Sequence, residues 1–327
     1  MKFWMFLLLS FVYVGTAVSQ DSIKIAFSLG DFFVDRWYKD RDYFVEYANS
    51  KGASVQLVYG YGEAEQQSKL TIKAINEGVN VVVIVPTKAD ACNEIVQAAH
   101  SKNVKVISYD RLIMNADVDY YISFDNIKVG ELQAQYAVDK QPYGNYILLA
   151  GPIKDNNAIL FLNGQKNILQ PYVDKGDINI VHEKHLVEWN SMEAFMEMQL
   201  LTEYSGKLSA IIASNDLIAS GAIMALDIGG ADKGVIITGQ DASIDGCRNI
   251  VQGSQSMTVY KPIKNLAHAA VDLALDVASK RLPDNIKATT HNGKTEVPSV
   301  LLEPVSVDKD NLRETVIKDG FINESEL

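Results

Sequence analysis

The sequence predicts an α/β protein of two similar Rossmann-like lobes, each a parallel sheet with helices on both faces. Three observations carry that prediction. Short apolar strands alternate regularly with amphipathic helices. The alternation runs from Ile23 to Phe124 and restarts near Tyr146. The 327 residues, 47% of them hydrophobic, are too many for one small core and enough to bury two.

Residues 1–19 come first, and they read as an export signal. Lys2 is the charged start, Phe3 to Val14 the apolar stretch, and Ala17-Val18-Ser19 a small-x-small cleavage site before Gln20. An uncleaved anchor is the other reading, but the segment is short for a span and holds Ser10, Gly15 and Thr16. No cysteine follows the apolar stretch to carry a lipid, so the expectation is a soluble protein in the periplasm. The net charge of −11, with no basic run, argues against nucleic acid and anionic membranes as partners.

The strands and helices follow in order. Ile23–Leu29 is a strand, and Phe44, Val45 and Ala48 recur behind it at helical spacing. Val55–Tyr59 is followed by a helix bearing Leu70, Ala74 and Ile75. Val81–Val85, five apolar residues before Pro86, reads as a strand buried on both faces. A helix ending near Lys102 leads to strands at Val104–Tyr109 and Tyr120–Phe124. The second run gives strands at Tyr146–Ala150, Ile178–Val181, Ala210–Ala213, Val235–Gly239 and Ser256–Tyr260. A long helix then carries Ile263, Leu266, Ala267, Ala270, Ala274 and Val277 on one face. Thr289 to Val300 reads as a hairpin about Asn292-Gly293, and 308–327 as a polar surface segment. Cys92 and Cys247 could pair in an exported chain. Two buried free thiols are expected instead, because the two positions fall in different lobes.

In open α/β sheets ligands bind at the carboxyl ends of the strands. The first such end is Leu29-Gly-Asp-Phe-Phe-Val-Asp-Arg-Trp37, which offers Asp31, Arg36 and Trp37. Carboxylate and guanidinium groups can each bond two adjacent hydroxyls, and an indole face covers C–H groups, which together suit a sugar. Taken alone, the loop also reads as a solvated turn whose aromatics cap the core. The other strand ends repeat the chemistry: Asp110-Arg111, Asp155 and Asn157, Asn215-Asp216, Gln240-Asp241 and Lys261. Trp37 and Trp189 lie in opposite halves and could close on two faces of a ring. For Asp216 and Asp241 singly, a helix N-cap is the competing role.

These stretches resemble the periplasmic D-xylose-binding proteins, in the ribose/galactose-binding branch of type I periplasmic binding proteins. The resemblance rests on Asp35-Arg-Trp-Tyr-Lys-Asp-Arg-Asp42, Ser108-Tyr-Asp-Arg111, Tyr121-Ile-Ser-Phe-Asp-Asn126, Lys128-Val-Gly-Glu-Leu-Gln-Ala134 and Asp155-Asn-Asn157. It continues through Ala213-Ser-Asn-Asp216, Gly239-Gln-Asp241, Met257-Thr-Val-Tyr-Lys-Pro262 and Val316-Ile-Lys-Asp-Gly-Phe321. It implies two lobes joined by three hinge strands: 20–126 with about 262–298, and 127–261 with about 299–327. It implies sugar contacts at Arg36, Trp37, Asp110, Arg111, Asp155, Asn157, Trp189, Asn215, Asp241 and Lys261. Two positions depart from the family pattern. Gly30-Asp31-Phe32-Phe33 replaces a paired acid followed by Leu and Arg, and His185 stands where a second Trp is common.

Other chemistries are excluded on residue grounds. Gly60-Tyr61-Gly62 lacks the third glycine of a dinucleotide turn, and Glu63 and Glu65 would repel a pyrophosphate. His182 and His185 have no third metal ligand placed beside them. A cleft sized for one sugar offers no glycosidic bond for paired carboxylates to flank, so no enzyme is expected. The expectation is a monomer without cofactor or metal. It delivers D-xylose to an ABC permease or, alternatively, presents it to a membrane histidine kinase. A repressor of the same fold would need a basic helix-turn-helix where this chain has its export signal.

Overall fold

Each apolar run of the first half becomes a strand of one sheet. In the computed structural model, residues 22–32, 36–201, 204, 207–229 and 234–327 are described. The expected export signal, and Phe33 and Asp35 of the first loop, lie outside them. The first half comprises β1 (Lys24–Leu29), α1 (Arg36–Ser50), β2 (Ser54–Tyr59), α2 (Ala64–Asn76), β3 (Val81–Val85), α3 (Asn93–Ser101), β4 (Lys105–Tyr109) and β5 (Tyr120–Phe124). The second comprises α4 (Asn126–Lys140), β6 (Gly144–Ala150), α5 (Asn156–Lys175), β7 (Ile178–His185), α6 (Ser191–Gln199) and β8 (Leu208–Ala213). It continues with α7 (Asp216–Gly229), β9 (Ile236–Gln240), α8 (Ile244–Gln252) and β10 (Met257–Tyr260). The chain closes with α9 (Ile263–Ala278), β11 (Ala288–His291), β12 (Glu296–Leu302) and β13 (Val305–Asp308).

The strands assemble in the orders β11-β12-β5-β4-β3-β1-β2 and β13-β10-β9-β8-β6-β7. Pairing is parallel except for β11 with β12 and β13 with β10, both at sheet edges. Val81–Val85 is buried along its whole length, because helices cover both faces of its sheet. On one face Phe27, Val83 and Ile107 pack with Phe44 of α1 and Leu266 and Ala270 of α9. On the other, Val82, Ile84 and Val106 pack with Ile75 of α2 and Ile95 and Val96 of α3. The second sheet is sandwiched in the same way, with α6 and α7 on one face and α4 and α5 on the other. No helix among the described residues is long and apolar enough to cross a membrane.

The chain passes from one sheet to the other three times: after β5, after β10 and after β12. Two crossings run side by side, and the Asp125 N–H donates to the Leu302 carbonyl at 2.9 Å. β12 stays in register with β5 up to Leu302, opposite Phe124. The third crossing therefore lies between Leu302 and Val305, a few residues beyond the boundary expected near 298.

The carboxyl-terminal segment differs from its expectation. Leu312, Val316 and Ile322 are buried against Ala242, Cys247, Ile250 and Tyr260, so the segment completes a core instead of lying on the surface. Leu312, just before the helical turn Arg313–Ile317, and Val316 within it both reach that core. The count of polar residues hid these apolar positions. Cys92 and Cys247 are both free and sit in separate cores, where burial pushes each thiol up to about 12.

Candidate functional site

The strand-end loops of both sheets converge on one cavity. Its walls are Arg36, Trp37, Asp110, Arg111, Asp155, Asn157, Phe161, Trp189, Asn215, Gln240, Asp241 and Lys261. All ten contacts that the resemblance implied are thus brought together, with Phe161 and Gln240 added, while Asp31 and Asp216 of the strand ends do not line this cavity.

The first-sheet wall is a buried lattice of charge. Arg36 opens α1 and its Nη2 donates to Asp110 Oδ2 at 2.9 Å. One helical turn on, Asp40 accepts from Arg36 Nε at 3.2 Å and from the Tyr109 hydroxyl at 2.5 Å. Burial disfavours the Arg36 cation, but Asp110, Asp40 and Asp241 outweigh it and raise its pKa well above the ordinary value. Burial likewise pushes the Asp110 carboxyl up. Arg36, Lys261 and Arg111 overcome that push and hold it below the usual carboxylate range. Asp110 has a left-handed backbone, φ +60°. Its carbonyl accepts from the Tyr121 and Ser123 hydroxyls, both at 2.9 Å, which holds this strained turn in place. The Trp37 ring lies 4.6 Å from the Arg36 guanidinium and 5.3 Å from that of Arg111, measured to the ring centroid.

The second-sheet wall is built from helix starts. Asp155 caps α5 by accepting from the Asn157 N–H at 3.0 Å. Asn215 caps α7 by accepting from the Ile218 N–H at 3.0 Å. Positive helix ends therefore point at the cavity from this side. Asp241 follows β9 with φ +94° and is not a cap; Ser243 caps α8. The cap alternative for Asp216 fails as well, since Asn215 serves α7. Trp189 lies flat on Gly151, where an added Cβ would fall 2.1 Å from the indole. His185 Nδ1 donates to the Gly151 carbonyl at 2.7 Å, so the departure at His185 braces the loop beneath the ring. The Trp189 Nε1–H donates to Asp155 Oδ2 at 3.3 Å.

The two walls are tied across the cavity. Asn157 Nδ2 donates to Asp110 Oδ1 at 3.1 Å, and Asn157 Oδ1 accepts from Asn126 Nδ2 at 2.9 Å. Arg111 pairs with Asp155 at 3.1 Å and with Asp31, the first-loop departure, at 3.0 Å. Asp241 Oδ1 pairs loosely with Lys261 Nζ at 3.3 Å and Arg36 Nη1 at 3.8 Å. The ion pairing of this oxygen is electrostatic only, since it has no hydrogen bond of acceptable geometry. Trp37 Nε1 and Gln240 Oε1 are likewise buried without a partner. Leaving such groups unpaired costs on the order of 1–3 kcal/mol each. Among the lining side chains, one donor, Trp37 Nε1, and two acceptors, Gln240 Oε1 and Asp241 Oδ1, are thus left without a hydrogen bond. The space between the walls admits water centres over about 30 Å³. Arg111, Asp155 and Trp189 also line a second cavity, of about 510 Å³.

Three residues that support the site were not among the contacts expected from the sequence. Asp40 was legible in principle, four residues after Arg36 on a helix. Phe161 stands at the same interval after Asn157 and its ring centroid lies 6.5 Å from that of Trp189. Gln240 stood among the strand ends but not among the contacts. Nothing in the sequence distinguishes its unpaired oxygen from that of any polar turn.

Comparison with known proteins agrees with this architecture. The family described as "Periplasmic binding protein domain" matches residues 25–282. The D-xylose-binding periplasmic protein of Escherichia coli (strain K12) is 44% identical over 319 residues, 97% of this chain and 96% of that one. Its namesake from Haemophilus influenzae is 43% identical, covering 95% of this chain and 93% of its own. Among solved structures, an ABC transporter solute binding protein from Clostridium phytofermentans with bound β-D-glucose superposes with a TM-score of 0.84. It is 31% identical and covers 93% of this chain and 99% of that one. Two mostly parallel sheets, three crossings and a polar cavity between facing strand ends are what the family match leads one to find, and the chain belongs to the periplasmic binding protein family.

Proposed function

We propose that this chain is the periplasmic receptor for a monosaccharide, D-xylose, and that it delivers the sugar to the permease of an ABC transporter. The single observation that carries the reading is the cavity wall: planar charged groups from both sheets, with a buried donor and two buried acceptors that make no hydrogen bond. A sugar hydroxyl both donates and accepts, so a ring of hydroxyls can satisfy such a wall, and charged partners strengthen each bond. Trp37 and Trp189 supply apolar surface for the C–H faces. The names of the two curated relatives support xylose, and the Clostridium phytofermentans protein supports a transport role. As a member of a binding family, the chain is not an enzyme.

In this reading Arg36, Trp37, Asp110 and Arg111 contact the sugar from one lobe. Asp155, Asn157, Trp189, Asn215, Asp241 and Lys261 contact it from the other. The first lobe takes in 20–126 and the segment from 262 to β12; the second takes in 127–261 and the remainder. Contacts from both lobes coexist only in the closed form, so the sugar shifts the balance toward closure by its differential affinity. The cross-cavity pairs Arg111–Asp155 and Arg36–Asp241 exchange each other for sugar hydroxyls as it enters. The leader 1–19 is removed near Ser19/Gln20, and the mature monomer works without a cofactor.

Isothermal titration of the mature chain with D-xylose, ribose, arabinose and glucose tests the assignment. Xylose is expected to bind with the highest affinity. Heat from another sugar and none from xylose would leave the family and remove the ligand.

A further inference from the structure

Beneath the cavity floor, Asp216 is 2% exposed and does not reach the cavity wall. Its hydrogen bonds run to the turn that carries Asp241 and to the start of the neighbouring β10. Its Oδ2 accepts from the Ser243 N–H at 2.8 Å. Its Oδ1 accepts from the Thr258 hydroxyl at 2.9 Å and from Gln255 Nε2 at 2.8 Å. The same Thr258 oxygen accepts from the Ala242 N–H at 3.2 Å. One carboxylate thus holds the two residues after Asp241, one directly and one through a hydroxyl.

That segment needs holding. Asp241 and Ala242 are consecutive non-glycine residues with positive φ, +94° and +49°. Such conformations persist only where surrounding bonds impose them. The seat for the carboxylate is also built to shape. A Cβ on Gly239 would fall 2.1 Å from Asp216 Oδ1, and one on Gly246 would fall 2.3 Å from Oδ2. Glycines flank the group on both sides because only hydrogen leaves it room.

We infer that Asp216 is a positioning residue for sugar binding: as a carboxylate it locks the strained Asp241–Ser243 turn and so aims the Asp241 side chain into the cavity. The inference deepens the sugar-receptor reading and rests on it. All three bonding neighbours donate, so protonating Asp216 forces the Thr258 hydroxyl or the Gln255 amide to turn and accept its hydrogen, or costs one of these bonds. Burial pushes this carboxyl up to about 7, against the pull of its donors and with a further push from Asp241. The other titratable group facing it is the Cys247 thiol on α8, itself raised and neutral, with Lys261 and Arg36 beyond Asp241. Sugar affinity should therefore climb as pH rises through neutrality.

The test is D-xylose titration of wild type, Asp216→Asn, Asp241→Ala and the double variant across about pH 5 to pH 9, a range that spans the transition. Asp216→Asn should weaken binding roughly tenfold at the alkaline end and abolish the pH dependence. In the Asp241→Ala background the same change should cost nothing further, because residues acting through one another are not additive. If Asp216→Asn does not fold, Thr258→Val carries the same two expectations of weaker and non-additive binding. Wild-type affinity in Asp216→Asn, or losses that add, would overturn the positioning role while leaving the receptor reading intact. A wild type that binds none of the sugars, with Asp241→Ala equally silent, would instead overturn the receptor reading and this one with it.

Discussion

The two walls of the cavity are made of similar residues and held by different physics. On the first-sheet side Arg36, Asp40 and Asp110 are all but sealed from solvent and pair with one another directly. On the second-sheet side Asp155 and Asn215 spend part of their bonding on helix N-termini, and Asp241 rides on a turn fastened from below. The first wall carries mutually dependent charge inside the fold, so damage there should reach stability as well as binding. In the second wall Asp241 and Trp189 line the cavity without capping a helix, so damage at those two should be confined to binding.

The largest expected effect breaks the first wall. Asp110→Ala removes the nearest of the three carboxylates around a buried guanidinium, and breaking a buried ion pair costs up to about 3–5 kcal/mol of stability. Chemical denaturation should show that loss together with the loss of xylose binding. Acid titration sharpens the point. The Asp110 carboxyl lies below its ordinary value in the fold, so its stabilisation is complete above the unfolded value and disappears as pH falls through the lower folded one. The wild type should lose this contribution on acidification and Asp110→Ala should have none to lose. A variant as stable as wild type at neutral pH would make the two walls equivalent.

Asp241→Ala comes next and belongs to the other wall. It removes a weakly paired carboxylate, so the sugar-free melt should stay near that of wild type. A ligand at a hundredfold excess over Kd raises stability by about 2.7 kcal/mol, and the variant should forfeit most of that thermal shift at the same xylose concentration. It should also fail to become smaller in X-ray scattering when the sugar is added. Full compaction and a full thermal shift in Asp241→Ala would remove this residue from the sugar's partners.

The smallest effect is expected at Trp189. Its indole is half-buried on Gly151 and bonded to Asp155, so truncation leaves the fold nearly untouched. Trp189→Ala should cost on the order of 1–3 kcal/mol of binding through lost stacking. Unfolding of that variant, with normal affinity in whatever remains folded, would show a core residue and move Trp189 from the second pattern to the first.

Much of this was legible in one dimension. Strands such as Val81–Val85 declare themselves because a strand covered on both faces must be apolar throughout. The polar strand ends declare a site because the carboxyl edge of such sheets is the one place where planar polar groups recur without serving the core. The tail shows the limit: Leu312, Val316 and Ile322 are too sparse among polar neighbours for their spacing to announce a buried face.

What the sequence determined by itself is local: the period of each element, the chemistry of each turn, and the repetition that makes two sheets. Those follow from dihedral preferences and side-chain patterning over a few residues. Tertiary structure decided which of those turns face one another and what state their groups hold. Arg36 is some two hundred residues from Asp241 in the chain yet 3.8 Å away in the fold, because three crossings bring the two sheet edges together. The division of labour between Asn215, which caps a helix, and Asp216, which holds a turn, is likewise invisible in the adjacent letters. It depends on where Ser243 at the start of α8 and Thr258 of β10 arrive in the fold.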